Sequence, residues 1–274
     1  MNNQTYNKKT FSKFVKENFN TNIVQIKRKY KHTFKVATIS KKLAELVGLN
    51  SETAYNLGLL HDYARFEQFS KYKSFFDAKT VDHAELACNL LFDYNKIENF
   101  RIDNKDYLIL YLAILMHNKK QIDENKIKEI LKEHNKEQDF EVVLQYCKLI
   151  RDADKIDILR VVTEKDYKIS NTENGITPSI KEEIENFQAP TILNSKTKLD
   201  AILIQMSYTY LLYFNESYKL FNYKKILNKM VKKYLKILNE EDKIYLKDRV
   251  EKTKLHIEKK FKKFCIKPLT FGKK

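Results

Sequence analysis

The chain has 274 residues, of which 43% are hydrophobic, while 4 are Gly and 3 are Pro. This hydrophobic fraction is enough for a sizeable core, in one large domain or two small ones. So few Gly and Pro disfavour a β-rich fold, which needs turn residues at short intervals. Four scattered glycines also exclude the glycine-rich loops that bind phosphate in nucleotide-binding folds.

The formal net charge of +16 is unevenly distributed along the chain. Residues 1–217 hold 33 basic and 30 acidic side chains, whereas residues 218–274 hold 19 basic and 6 acidic ones. The basic residues are nearly all Lys, a bias that an AT-rich coding sequence also produces. A second interpretation is that the C-terminal segment attracts anions, nucleic acid included.

Cysteine usage and apolar runs indicate the compartment. Cys88, Cys147 and Cys265 are isolated in the sequence, and no CxxC is present, which is typical of a reducing environment. The N-terminal residues are polar and lack an apolar segment of signal-peptide type. The longest apolar run, 107–116, is too short to span a bilayer. We therefore expect a cytoplasmic protein without a membrane partner.

Helical periodicity dominates the first 165 residues. Gly48 is expected to end the first long helix, Ser51 to cap the second, and Thr80 or Asp82 to cap the third. The aromatic and polar residues 69–79 are expected to form a loop. The spacing predicts helices over 21–47, 52–66, from 80 or 82 to 92, from 103 or 106 to 117, over 122–133 and over 140–162.

The pattern changes over residues 164–195, which are polar and hold Gly175, two prolines and a weak helical stretch at 180–187. This segment either covers a site or forms a disordered surface loop. Beyond it, long amphipathic helices are expected, the first over 199–214. We predict an all-α fold with a catalytic core over 1–165, an irregular excursion that could serve as a lid over 166–195, and basic C-terminal helices over 196–274 that pack on the core.

Several ionisable side chains occupy positions where a helix turns its apolar face to the core. His32, for example, precedes Val36 and Ile39 at helical spacing. A buried carboxylate is costly without a partner, and imidazole with carboxylate ligands suits divalent transition metals. Each histidine alone could be a hydrogen-bonded core residue, but the joint pattern predicts a metal site. Its candidate residues are His32, His61, Asp62, His83, His117 and Asp154.

The order His32…His61-Asp62…Asp154 resembles that of the HD superfamily, a helical superfamily of metal-dependent phosphohydrolases with the signature H…HD…D. The resemblance covers about residues 20–165 and includes the stretches GLLHDYARFEQ and KTVDHAELA. It implies that these four residues bind a first metal ion. RDADKID also offers Asp152 and Asp157, but the unit Ala153-Asp154-Lys155 matches the family's motif, and the apolar stripe independently favours Asp154.

Two-metal members of the superfamily add two histidines between the HD pair and the last Asp. His83 and His117 stand in that order, so the resemblance implies a second metal ion, with Asp62 bridging the two. Fe, Mn, Ni, Zn and Mg are all open as the divalent ions. Both histidines also have a purely structural interpretation, because His83 lies in the first turn of its helix and His117 at a helix end, where an imidazolium suits the dipole.

The resemblance implies hydrolysis of a nucleotide or another small phosphate ester, with Asp62, Arg65 and Lys155 as catalytic residues. Lys155 would contact phosphate, and Arg65 would either do the same or form a salt bridge to Glu67 or Asp77. The sequence lacks Gly-Tyr-Pro after His117 and lacks HDxxED, which disfavours the cyclic-di-GMP and ppGpp hydrolases. Di-iron oxygenation remains an alternative chemistry, and nucleic-acid binding by the C-terminal helices an alternative function. The sequence indicates no oligomeric state.

Overall fold

The computed structural model describes residues 1–165 and 168–264, the side chains of 262–264 excepted. These described residues form helices and turns without a β-strand, and one isolated bridge joins Glu173 and Thr197. The predicted all-α class is therefore confirmed. No helix among them is both long enough and apolar enough to cross a membrane. Cys88 and Cys147 are buried free thiols, and Cys265 lies outside the described residues.

The chain divides into two compact units, Met1–Asp157 and Ile158–Lys274. The division falls inside α8, and the predicted limits at residues 165 and 195 stay predictions. The helices that begin in the first unit are α1 Asn3–Asn18, α2 Val24–Val47, α3 Ser51–Leu60, α4 Arg65–Tyr72, α5 His83–Cys88, α6 Tyr107–Met116, α7 Glu124–Glu133 and α8 Phe140–Val161. Those of the second are α9 Pro178–Glu185, α10 Lys198–Ser207, α11 Asn215–Leu220, α12 Tyr223–Tyr234 and α13 Glu240–Phe264.

Most helix ends follow the sequence signals. Gly48 ends α2 in the left-handed region at φ 77°, as predicted. The cap of α3 is Asn50 rather than Ser51, because the Asn50 side chain accepts hydrogen bonds from the N–H groups of Glu52 and Thr53. The predicted helix 52–66 was wrong at its end, since α3 stops at Leu60 and a turn over 61–64 precedes α4. Residues 69–72, predicted as loop, belong to α4.

Helix α1 was missed because its sequence is mostly polar. It nevertheless buries Phe11 and Val15 completely. Asn7, also fully buried, donates through its amide nitrogen to Asn56 Oδ1 at 3.0 Å, and its oxygen accepts from the N–H of Arg101 at 2.7 Å. A polar residue with a complete set of partners can be buried in this way, which composition alone does not indicate.

The second unit follows the predicted amphipathic stripes. Tyr223, Leu227, Met230 and Tyr234 of α12 are all buried. Leu246, Val250 and Ile257 of α13 are buried as well. The apolar segment predicted over 199–214 is helical only to Ser207, after which the tighter turn Tyr208–Leu211 follows.

The close packing of α3 against α2 depends on Gly58. A Cβ atom at this position would lie 2.7 Å from Ala37 Cα, 2.9 Å from Ala37 N and 2.7 Å from Ser40 Oγ. Because two of these atoms are backbone, the neighbouring helix cannot move aside cheaply. The residue without a side chain thus sets the distance between α2, which carries His32, and α3, which His61 follows.

We predict that Gly58→Ala lowers the free energy of unfolding by about 1–3 kcal/mol, the usual cost of overpacking a close helix contact. Urea denaturation followed by circular dichroism measures the change. Gly48→Ala serves as a control, because an added Cβ there would have nothing within 4 Å and the cost is left-handed backbone strain alone, roughly 1 kcal/mol. An unchanged free energy of unfolding in Gly58→Ala would contradict the packing argument.

Candidate metal centre

The six predicted metal ligands come together in the first unit. His32 lies within α2, His83 is the first residue of α5, and His117 directly follows α6. His61 and Asp62 occupy the turn between α3 and α4 rather than a continuous helix. This break explains how two neighbouring residues reach one place, since adjacent side chains in an unbroken helix point about 100° apart.

The first group contains His32, His61, Asp62 and Asp154, whose candidate ligand atoms all lie within 4.8 Å of one another. His32 Nε2 is 3.1 Å from Asp154 Oδ1 and 3.4 Å from Asp62 Oδ2. His61 Nε2 is 3.1 Å from Asp62 Oδ2 and 3.8 Å from Asp154 Oδ1. Two imidazole nitrogens and two carboxylate oxygens therefore converge on one point.

The second group contains Asp62, His83 and His117. His83 Nε2 is 3.4 Å and His117 Nε2 3.9 Å from Asp62 Oδ1. The two histidine nitrogens are 2.9 Å apart. The carboxylate of Asp62 is thus shared, because Oδ2 faces the first group and Oδ1 the second.

All four histidines are oriented in the same manner. In each ring Nδ1 hydrogen-bonds to a carbonyl or carboxylate oxygen, so Nδ1 carries a proton, and the neutral form of the ring would present a lone pair at Nε2. Such outer hydrogen bonds are a regular feature of metal-binding histidines. The acceptors are Asp157 Oδ2 for His32 at 2.7 Å, Gly58 O for His61 at 2.8 Å, Asp77 Oδ2 for His83 at 2.6 Å and Ile114 O for His117 at 2.6 Å.

Several buried atoms of the cluster fit a divalent cation. His32 Nε2 and His61 Nε2 lack a hydrogen-bond partner among the described residues, as does Asp62 Oδ2 apart from its ion pair with Lys29. His83 and His117 turn two lone pairs towards each other, which is repulsive unless positive charge lies between them. Each unsatisfied buried polar atom costs about 1–3 kcal/mol. Metal ions held by nitrogen and oxygen would satisfy all of these atoms together.

Electrostatics define how the cluster is charged without metal. Burial and Lys29 lower the pKa of His32, but the surrounding carboxylates raise it more, to about 10. Burial would raise the pKa of Asp62, yet His61, Lys29 and His32 hold it well below its usual range. Burial and the neighbouring histidines lower the pKa of His117. In the metal-free chain, therefore, His32 is charged and His117 is neutral.

The remaining predicted residues lie beside the cluster. Arg65 Nη1 donates to Asp77 Oδ1 at 2.7 Å and to Gln68 Oε1 at 2.8 Å, so its salt bridge is with Asp77 and not with Glu67. Lys155 is half-buried, and burial lowers its pKa despite Asp154. Its ammonium forms no hydrogen bond or ion pair within the described parts of the chain. The phosphate contacts of both residues stay predictions.

Sequence reasoning missed three side chains that support the cluster. Asp157 was weighed as a ligand, but it orients His32, and Asp77, considered only as a partner of Arg65, orients His83. Lys29 forms an ion pair with Asp62 Oδ2. A signal existed for two of them, since Lys29 lies three residues before a candidate ligand and Asp157 three residues after one, on matching helical faces.

Arg151 holds the turn that follows α6. Its guanidinium donates to the carbonyl oxygens of Met116, His117, Lys119 and Lys120 at 2.5–3.3 Å. One buried side chain thus satisfies several free carbonyl groups at a helix end. The backbone that carries His117 is fixed from α8, the helix that also carries Asp154.

We predict that metal binding at neutral pH releases about one proton from His32, because a nitrogen with a pKa of about 10 must lose its proton before it can bind an ion. Metal affinity should therefore rise with pH across the range below that value. Isothermal titration calorimetry at pH 7 in two buffers with different ionisation enthalpies measures the proton count. An enthalpy that does not depend on the buffer would contradict the prediction.

Comparison with known proteins gives one match. The family model of the HD domain matches residues 30–159, a range that contains all six residues of the cluster as well as Arg65 and Lys155. No curated protein and no solved structure matches the chain. HD-domain proteins are generally metal-dependent hydrolases, most of them phosphohydrolases. Residues 30–159, which contain the His and Asp cluster, are therefore similar to the HD domain.

Proposed function

We propose that the protein is a phosphohydrolase or phosphodiesterase that uses a metal-activated water to cleave a nucleotide or another small phosphate ester. The observation that carries the proposal is the shared carboxylate of Asp62, whose two oxygens face two separate groups of candidate ligands. In the first group His32, His61 and Asp154 would hold one ion. In the second His83 and His117 would hold another.

Two divalent ions held at such a site would polarise phosphoryl oxygens and lower the pKa of a bound water towards ~7. The chain's own contribution is positional. Asp157 and Asp77 fix the rings of His32 and His83 through Nδ1, so that both Nε2 atoms point into the cluster. The histidines and Asp62 are almost fully buried, which keeps bulk water away from the reacting groups and strengthens their electrostatic interactions.

Cationic side chains beside the cluster suit a phosphate substrate. Lys155 follows Asp154 and has no other partner among the described residues, which supports a contact with a phosphoryl oxygen. Arg65 Nη1 is occupied by Asp77, while its Nε lies 3.4 Å from Asp62 Oδ1. We therefore assign Lys155 as the main phosphate contact and Arg65 as a second one that would need to share its guanidinium with Asp77.

The outer face of α2 supports an anionic substrate as well. Lys27, Lys31 and Lys35 are exposed and recur every four residues on the helix that carries His32. Between residues 18 and 44 the sequence has seven basic residues and no acidic one. A one-sided positive field near a site raises the local concentration of anions and their association rate.

Hydrolysis of a nucleotide panel and of a generic phosphodiester, with Mn, Fe, Mg or Zn added to chelator-treated protein, tests the proposed activity. We expect turnover of at least one phosphate ester. Full activity with the redox-inert ions Mg or Zn would exclude di-iron oxygenation, which needs a change of iron valence. Absence of turnover on every phosphate ester, with metal bound, would refute the proposed function.

We predict that His83→Ala reduces the metal content from about two ions per chain to about one, because the second group loses one of its three ligands while the first keeps all four. Elemental analysis of protein purified without chelator measures the ratio. His134→Ala is the matched control, since His134 is exposed and its ring hydrogen-bonds only to Ile130 O among the described residues. An unchanged metal content in His83→Ala would argue against the dinuclear site.

We predict that Lys155→Gln lowers kcat/KM on the order of 10²–10³-fold, the usual loss when one group that stabilises transition-state charge is removed. Metal content should stay unchanged, because Lys155 is not among the candidate ligands. Asp154→Asn is the comparison variant, since it should reduce both activity and metal content. Steady-state kinetics together with elemental analysis separates the two roles, and loss of metal in Lys155→Gln would contradict ours.

A further inference from the structure

The second unit contains a helix whose solvent face is almost purely cationic. Residues 217–239, which include α12, hold seven Lys and no Asp or Glu. The apolar residues of α12 are directed into the core of the unit, and its exposed positions are occupied by Lys and Asn alone. Helix α12 itself contains no Asp or Glu, so this face has no acidic side chain of its own.

Three of these lysines form a row. Lys225, Lys229 and Lys232 are all exposed, and their spacing of four and three residues places them on one face of the helix over about 10 Å. Lys236 extends the row by one further turn, just beyond the end of α12. None of these four ammonium groups has an ion-pair partner among the described residues.

The neighbouring helix α13 shows the contrast. There Lys243 pairs with Glu240 at 2.6 Å, Lys252 with Asp248 at 2.8 Å and Lys254 with Glu251 at 2.6 Å. On α12, Lys224 pairs with Glu258 of α13, but Lys225, Lys229 and Lys232 have no acidic partner among the described residues. Like charges three and four residues apart destabilise an isolated helix. Repulsion within the row therefore destabilises the helix, and a bound anion would relieve that repulsion.

We propose that this row on α12 binds the phosphate backbone of double-stranded DNA, without regard to sequence. A polyanion matches the row, because its lysines extend over about 10 Å of the helix axis, which is longer than a single phosphate. Duplex DNA carries one negative charge per about 1.7 Å of axis, so several phosphates lie within reach of a row of this length. The row offers ammonium groups as point charges and no Arg fork for reading base edges.

Other polyanionic partners fit this face less well. Single strands are bound through aromatic side chains on which bases stack, and α12 exposes none. Anionic membranes are bound by helices that insert an apolar face, whereas Tyr223, Leu227, Met230 and Tyr234 of α12 are buried within the unit. The proposal concerns the second unit alone and is independent of the chemistry at the metal cluster.

Fluorescence anisotropy with a labelled duplex, titrated with the full chain between 50 and 200 mM salt, tests the proposal. The triple variant Lys225→Gln, Lys229→Gln, Lys232→Gln removes three phosphate contacts. It should reduce the magnitude of the slope of log K against log salt by about 2.7 and weaken binding on the order of tenfold or more. Circular dichroism of the variant verifies that the helices are retained.

The matched control is Lys243→Gln, Lys252→Gln, Lys254→Gln, which removes the same charge from lysines that are already paired. Its salt slope should equal that of the unmodified chain. Absence of duplex binding at 50 mM salt would overturn the proposal, and so would equal losses in the two triple variants. If duplex binding were lost only on substitution of Lys27, Lys31 and Lys35, the binding surface would lie on α2 and not on α12. Preferential binding of anionic vesicles or single strands would show that duplex DNA is not the partner.

Discussion

A single buried carboxylate organises the first unit. Asp62 is 2% exposed and ionised, and both of its oxygens are turned towards imidazoles rather than solvent. Leaving such a charge uncompensated would cost several kcal/mol. Everything around it can be understood as compensation, from the ion pair with Lys29 to the convergence of four histidine rings from different parts of the first unit. Burying this charge costs free energy that folding alone does not require, and the arrangement therefore indicates a function.

The helices position this cluster mainly through their ends. Helix termini leave carbonyl groups unpaired, and the chain uses such groups as acceptors for histidine, since Gly58 O binds His61 and Ile114 O binds His117. Close packing at Gly58 then brings the end of α3 against the middle of α2. Rigid helices in direct contact hold ligands more accurately than loops do, and the short turns after α3 and α6 allow side chains to point inward.

The candidate site was largely predictable because its signal is local. A histidine or aspartate on the apolar face of a helix stands out in the sequence, and the order of such residues resembled one known superfamily. The side chains that orient the ligands were not predictable, because their roles depend on contacts across the fold. Asp157, for instance, meets His32 from 125 residues away. The periodicity of a sequence predicts on which face of its helix a residue lies, but not which residue of another helix it contacts.

The fold was predictable to the same degree and for the same reason. Stripes of apolar residues gave the helices of both units, because burial of one face is what stabilises most helices in proteins. The prediction failed where a polar residue was buried with its hydrogen bonds satisfied, as in α1, and where a helix stopped without Gly or Pro after Leu60. After Leu60 the helix is interrupted, and the resulting turn allows His61 and Asp62 to face one point. Such local departures from sequence rules are expected at functional sites.

The metal-free charge state has a consequence for folding. Lys29 and the protonated ring of His32 together place positive charge beside Asp62, Asp154 and Asp157. The carboxylates are therefore compensated before any ion binds, unlike the thiolates of small zinc domains that fold only with metal. The same compensation weakens metal binding, because His32 must lose a proton and the ion pair between Lys29 and Asp62 Oδ2 must break before an ion can bind. The first unit thus gains a folded apo state and loses some metal affinity for the same physical reason.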